Sequence, residues 1–170
     1  YLFDPLYPRP VELHTRLWED GWRGLHVTSP PDLWRDRRTR IVAGVPMQLL
    51  SREHTLIHLA VHFSGHLVER EARLNQLLDL ARFLAQENEV LDWQTVVQQA
   101  SRCGVSRFVF ASIWLAGQIF AAPQPPEAVW QGLAQETPAR FRTWLSLSGS
   151  NDVILSDYRR ASRGQDYRLT

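Results

Sequence analysis

Lysine is absent from this chain, and all 19 basic residues are arginine. The absence excludes Schiff-base lysine chemistry, a P-loop lysine and a kinase-type lysine within the chain. Cys103 is the only cysteine, so an intrachain disulfide and a CxxC metal knuckle are excluded as well. No apolar run approaches the roughly 20 residues of a membrane helix. A net charge of +1 argues against a basic nucleic-acid arm and against an acidic tail.

What is present has the composition of an ordinary globular chain, with 44% hydrophobic and 22% charged residues. We expect a protein of the bacterial cytoplasm, kept reduced and not associated with a membrane. The chain begins at Tyr1 without a methionine, which predicts a fragment of a longer protein.

The hydrophobic period changes from strand-like to helical near Ser51. Before it, residues 11–18 alternate with period two and predict a strand. A hairpin is predicted over residues 40–49, with Gly44 in the turn, and residues 19–39 are expected to form an exposed loop.

After Ser51, which is the expected N-cap, six helices are predicted. They cover residues 52–68, 71–86, 93–103, 107–121, 127–135 and 138–148. The pattern predicts an α+β fold in three parts. These are a small β element (1–50), a mostly α-helical bundle (51–148) and a partly ordered tail (149–170).

A stripe of histidines is the densest chemical signal, and it comprises His54, His58, His62 and His66. Imidazoles four residues apart on a helix suit two-point metal binding, but the stripe drifts by about 40° per step, so all four cannot hold one ion. Leucine and phenylalanine follow His58 and His62, which excludes the H-E-x-x-H metalloprotease motif. The histidines are therefore either neutral core residues or donors that face phosphate in a cleft. We expect His54 on the surface and keep His62 and His66 as functional candidates.

Two carboxylates have alternative interpretations. Glu12, on the first predicted strand, could face a cleft and bind Mg²⁺ or Mn²⁺, or it could be a surface residue paired with Arg16. Asp79 lies among leucines and is expected to be a structural, buried partner in an ion pair, with Arg82 or Arg73 as candidate partners. Cys103 lies at a helix end that disfavours a thiolate, so no catalytic role is expected for it.

The order and spacing of several motifs resemble one known family. The motifs are Val11-Glu12-Leu13-His14, Leu17-Trp18, Leu49-Leu50-Ser51-Arg52-Glu53-His54, Leu56-Ile57-His58-Leu59-Ala60-Val61-His62 with His66, Arg73-Leu74-Asn75-Gln76-Leu77-Leu78-Asp79-Leu80-Ala81, and Asp92-Trp93. In this order they look like the C-terminal two-thirds of the uncharacterised nucleotidyltransferase family, which belongs to the DNA polymerase beta-like nucleotidyltransferase superfamily.

The resemblance implies transfer of a nucleoside monophosphate from an NTP to an acceptor, which could be a protein, a tRNA or a small molecule. Such sites hold two Mg²⁺ ions with three carboxylates, and Glu12 matches the third of them by position. The resemblance also makes His14, His62, His66 and Arg73 candidates for binding the substrate. The β element would then be a remnant of the nucleotidyltransferase sheet.

This chain lacks the family's Gly-Ser turn followed by Asp-x-Asp. Gly149-Ser150 is followed by Asp152 and Asp157, five places apart and at the wrong end of the chain. One carboxylate cannot hold two Mg²⁺ ions, so we expect the isolated chain to be inactive unless the segment exists upstream.

Two other functions stay open. The chain could be a non-catalytic helical interaction module, with Trp18, Trp22 and Trp34 as exposed anchors for a partner or for a second copy. It could also be a metal protein built on the histidine stripe.

Overall fold

The computed structural model describes residues 2–4, 7–11, 16–18, 20–21, 25–69 and 74–147. Within these ranges the protein has an α+β fold, in which antiparallel two-stranded sheets precede a series of helices. The strands are β1 (Leu2–Asp4), β2 (Tyr7–Val11), β3 (Arg38–Val42) and β4 (Val45–Leu49). The helices are α1 (Arg52–Glu69), α2 (Leu74–Glu87), α3 (Trp93–Arg102), α4 (Ser106–Phe120), α5 (Glu127–Gln135) and α6 (Ala139–Leu147).

The predicted hairpin is confirmed. Strands β3 and β4 pair in antiparallel register, and Val42 lies opposite Val45. The two residues between them have positive φ, 49° at Ala43 and 81° at Gly44. This is the type I′ geometry that suits the right-handed twist of two-residue hairpins, and glycine adopts it without steric cost.

The predicted strand over residues 11–18 is wrong at its C-terminal end. Strand β2 ends at Val11, and residues 16–18 form a bend. The bend is tied to later residues, because the hydroxyl of Ser29 donates to the carbonyl of Trp18 at 3.1 Å. The Asp20 carboxylate also accepts from the Ser29 N–H at 2.7 Å. These local bonds outweigh the alternating pattern of the side chains.

Ser51 caps α1 as predicted. Its hydroxyl accepts from the backbone N–H of His54 at 3.1 Å, and its carbonyl accepts from the Thr55 hydroxyl at 2.7 Å. Glu53 in the same turn accepts from the Asp92 N–H at 3.2 Å, which joins the beginning of α1 to the beginning of α3.

Asp92 caps α3, and its carboxylate accepts from the Thr95 N–H at 3.1 Å. Gly104 ends this helix with φ 70°. The next helix, α4, begins at Ser106, and Val105 lies at its cap position without a side-chain bond. The Ser106 hydroxyl instead donates to the Glu136 carboxylate beyond α5, at 2.7 Å.

Helix α4, whose sequence is mostly apolar, is the centre of the bundle. It contacts α1, α2, α3 and α5, and it buries residues on most of its circumference. Small side chains let α1 and α4 pack closely, since Ala60, Ser64 and Ser112 meet at their crossing. Among the described helices, none combines the length and the apolar composition of a membrane-spanning segment.

Candidate functional site

The histidine stripe lies on one flank of α1, and three of its imidazole rings are in contact. The rings of His58 and His62 stack with centroids 5.6 Å apart, and His62 meets His66 edge-to-face at 4.5 Å. The spacing of four residues places successive rings on adjacent turns, which explains the contacts. His62 is exposed, whereas His58 and His66 are half-buried, so the solvent-facing part of the stripe is the C-terminal half of α1.

His66 is half-buried, and its Nδ1 lies inside the protein without a hydrogen-bond partner among the described residues. This nitrogen is closed to an external ligand, so a ligand-binding role for His66 would fall to Nε2. The neighbouring His62 ring is open to solvent. Adjacent imidazoles of this kind can donate N–H groups to an anionic oxygen, which is the use that the sequence suggested for this pair.

His54 does not belong to this accessible surface, and the prediction that it lies on the surface is wrong. Only 5% of the residue is exposed, and neither ring nitrogen has a partner among the described residues. Burial lowers the pKa of His54, while the charges of Asp36 and Glu53 act in the opposite direction. His54 is therefore a neutral interior residue at neutral pH.

The described residues contain no group of three or more histidine, cysteine, aspartate or glutamate side chains that could hold a metal ion. Within the stripe, successive histidines turn progressively around the helix, so their rings do not converge on one point. A metal site made by the described histidines alone is therefore not supported.

Three predicted site residues lie outside the described residues. They are Glu12, the expected metal ligand, and the expected substrate-binding residues His14 and Arg73. Among the described members of the predicted substrate-binding set, His62 and His66 lie together.

Asp79 is exposed, so its predicted role as a buried ionic partner is wrong. Helix α2 buries Leu77, Leu80, Ala81 and Leu84. At 3.6 residues per turn, Asp79 lies about 200° around the helix from Leu77, on the side that faces away from the core. Its leucine neighbours in sequence are therefore not its neighbours in the core.

The proposed aromatic anchors differ in their environments. Trp34 is 53% exposed, as expected. Trp18 instead packs against the core and buries its indole nitrogen, and Trp22 lies outside the described residues. Cys103 is buried and burial raises its thiol pKa, which agrees with the expectation that it has no catalytic role.

Two partly buried charged residues of the bundle were not among the predicted site residues. Arg107, in the first turn of α4, lies over the ring of Phe108 at 5.0 Å, and burial lowers its pKa. Glu87, at the end of α2, binds both Arg38 and Arg52. Arg107 had a visible signal, since it is the only charged residue of a mostly apolar helix. The partners of Glu87 are distant in sequence and gave no such signal.

The β element, the capped α1 and the histidine flank follow one another along the chain. The family model described as "Uncharacterised nucleotidyltransferase" matches residues 5–121, and the chain belongs to that family. No curated protein and no solved structure matches the chain. The match begins before β2 and extends just past α4, so it includes the whole of the histidine stripe.

Proposed function

We propose that this chain is the C-terminal part of a metal-dependent nucleotidyltransferase. It would transfer a nucleoside monophosphate from an NTP to an acceptor, which is a protein, a tRNA or a small molecule. The observation that carries the proposal is the family match over residues 5–121, which supports a general nucleotidyltransferase relationship. Because the chain has no Gly-Ser turn with Asp-x-Asp, activity would require that segment to be supplied from outside these 170 residues, and this chain in isolation would be inactive.

The transfer consists of one substitution at phosphorus. A nucleophilic atom of the acceptor forms a bond to the α-phosphorus, the bond from that phosphorus to the bridging oxygen breaks, and pyrophosphate leaves with the electron pair. The acceptor's proton passes to a base. Catalysis of such a step consists mainly of positioning the phosphates and stabilising their charge.

The candidate residues of this chain suit the task of holding phosphate. His62 and His66 lie side by side on the accessible flank of α1, with ring centroids 4.5 Å apart, and would donate N–H groups to phosphate oxygens. Arg73 would add a bidentate guanidinium contact, and His14 would bind on the substrate side near Glu12. The roles of Glu12, His14 and Arg73 come from their match to the family motifs.

Glu12 is the proposed ligand for Mg²⁺ or Mn²⁺, which when bound would neutralise charge on the departing pyrophosphate. The described residues offer no set of three ligands for such an ion, so further carboxylates would have to come from elsewhere. The phosphate contacts assigned to His62 and His66 do not depend on that ion.

The test uses the protein as its gene encodes it. Calorimetry should detect binding of an NTP in the presence of Mg²⁺, and labelled NTP should transfer its nucleotide to an acceptor. We expect His62→Ala and His66→Ala each to weaken NTP binding about tenfold, since a hydrogen bond to a charged group contributes about 1.5 kcal/mol. His26→Ala is the matched control, because His26 is exposed and lies outside the stripe.

Glu12→Gln provides an independent test. It should abolish turnover without changing thermal unfolding, since it removes a ligand charge and keeps the shape of the side chain. A protein that binds no NTP and labels no acceptor would overturn the proposed function. Retained turnover in Glu12→Gln would remove Glu12 from the site.

A second candidate function is a non-catalytic helical interaction module derived from the same fold. The observation that favours it is a set of large apolar side chains at the hairpin and just before it: Trp34, Ile41, Val42, Val45 and Met47 are all exposed. A protein that binds a partner through these residues but binds no NTP would favour this function over the first.

A further inference from the structure

The hairpin carries a concentration of exposed apolar side chains. Residues 41–47 contain no polar side chain, and every one of them is exposed. Ile41 is 72% exposed and Val45 is 58% exposed. Exposed apolar patches of this kind mark surfaces that bind a partner.

Main-chain geometry distinguishes the two edges of the hairpin. The two-residue turn makes Val42 and Val45 a hydrogen-bonded pair, so the next pair, Ile41 with Pro46, is not hydrogen-bonded. Residues of a pair that is not hydrogen-bonded direct their N–H and C=O groups away from the partner strand. Pro46 therefore removes a donor from the outer edge of β4, whereas the N–H and C=O groups of Thr39 and Ile41 stay available on the outer edge of β3. Within the described ranges, no third strand pairs with that edge.

The charge around this edge is mainly positive. Residues 37–52 contain four arginines and no aspartate or glutamate, and single acidic residues, Asp36 and Glu53, flank this segment. Arg38 and Arg52 are bound to Glu87, which leaves Arg37 and Arg40 as the exposed cations beside the edge of β3. A partner segment that carries carboxylates would be favoured there, and a basic one would be repelled.

The same features disfavour other occupants. A second copy of the hairpin would place its own arginines against Arg37 and Arg40. Insertion into a bilayer would leave the main-chain groups of Thr39 and Ile41 without partners in hydrocarbon, which is costly for an open strand edge. An extended polypeptide satisfies the main-chain groups, the apolar side chains and the arginines together.

We propose that the outer edge of β3 binds an extended protein segment of alternating apolar and acidic residues, which adds a third strand to the hairpin. The inference deepens the second candidate function and does not require nucleotide binding. NTP calorimetry and the peptide experiment below can therefore fail separately.

The experiment uses the full 170-residue chain and two capped peptides, one of alternating glutamate and valine and one of alternating lysine and valine. Amide hydrogen exchange followed by NMR reports on Thr39 and Ile41 directly. We expect the acidic peptide to slow exchange at these two amides at least tenfold, and the basic peptide to leave them unchanged.

Two proline variants locate the edge. Thr39→Pro removes an outward N–H from β3, and Gln48→Pro removes the opposite one from β4. The variants are matched, because Thr39 and Gln48 are cross-strand partners and both changes remove the same side-chain hydrogen bond of 3.0 Å. Binding of the acidic peptide should be lost in the first variant and kept in the second.

Arg40→Glu tests the charge argument without placing proline in a strand, since Arg40 is exposed. We expect it to weaken binding of the acidic peptide at least tenfold and to allow binding of the basic one. Equal binding of both peptides to the unaltered chain would overturn the proposal. So would self-association that protects Thr39 and Ile41, seen by sedimentation, or binding of the hairpin to anionic phosphatidylserine vesicles without binding of the acidic peptide.

Discussion

Arg52, the first residue of α1, donates a hydrogen bond from its Nε to the carboxylate of Glu87, the last residue of α2. The same carboxylate lies 3.9 Å from a guanidinium nitrogen of Arg38 in β3. Arg38 in turn donates to the carbonyl of Leu50 at 3.1 Å, between the hairpin and α1. One carboxylate thus connects the hairpin to the helical bundle.

Glu87→Gln should lower the free energy of unfolding by about 1 kcal/mol, because it removes the charge that two arginines share at a partly exposed site. Urea denaturation measures the change. Glu89→Gln is the control, since Glu89 is an exposed carboxylate two residues further along. Equal stabilities of the two variants would show that the contacts of Glu87 contribute nothing.

Gly104→Ala should destabilise the protein by about 2–4 kcal/mol. Gly104 has φ 70°, and a Cβ there would lie 2.2 Å from the carbonyl oxygen of His26. Gly21→Ala separates the cost of the positive φ from the cost of the close contact, because Gly21 has φ 67° but open space around it. Its cost should be about 1 kcal/mol, which is the backbone contribution alone. Equal costs in the two variants would contradict the close approach of His26.

The features that were predictable from the sequence are those specified locally. Ser51 and Asp92 cap their helices through bonds that span three residues, and Gly44 permits the turn by its own conformational freedom. The histidine contacts also follow from helical spacing alone.

The features that the sequence did not reveal depend on which elements pack together. The prediction for Asp79 is wrong because successive residues of a helix point in different directions, so neighbours in sequence are not neighbours in space. His54 is buried by tertiary packing that a four-residue repeat cannot specify, and the exposure of the hairpin's apolar residues has no local signal either.

His54 should make stability depend on pH. Burial lowers its pKa in the folded protein below the ordinary value of 6.5, so between these two values the unfolded chain binds the additional proton. Above pH 6.5, His54 is neutral in both states and does not favour unfolding. As the pH falls below 6.5 toward the lower pKa of the folded protein, the unfolded chain takes up a proton that the folded protein does not, and the free energy of unfolding decreases.

His54→Leu should reduce this acid sensitivity, since leucine carries no titrating group into the interior. Urea denaturation should show that the variant gains more stability over the parent chain at about pH 5.5 than at about pH 8. His26→Leu, at an exposed histidine, should leave the dependence unchanged. A variant at His54 with the pH dependence of the parent chain would contradict the assignment.

Ser64 and Ser112 join the crossing of α1 and α4 through a chain of buried hydrogen bonds. Their hydroxyl oxygens lie 2.9 Å apart, and Ser112 also donates to the Ala60 carbonyl at 2.9 Å. A serine hydroxyl has one proton to donate. With Ser112 donating to Ala60, Ser64 donates either to the Ser112 oxygen or to the Phe108 carbonyl, which lies 3.3 Å away.

Either single change to alanine should cost about 1 kcal/mol, because it leaves buried acceptors with one donor fewer. The double variant should cost less than the sum, by about 0.5 kcal/mol, since the bond between the two hydroxyls is lost only once. Urea denaturation of the four chains in this cycle measures the coupling. Additive costs would mean that each serine acts only through its bond to the opposite helix backbone, and that the two hydroxyls do not stabilise each other.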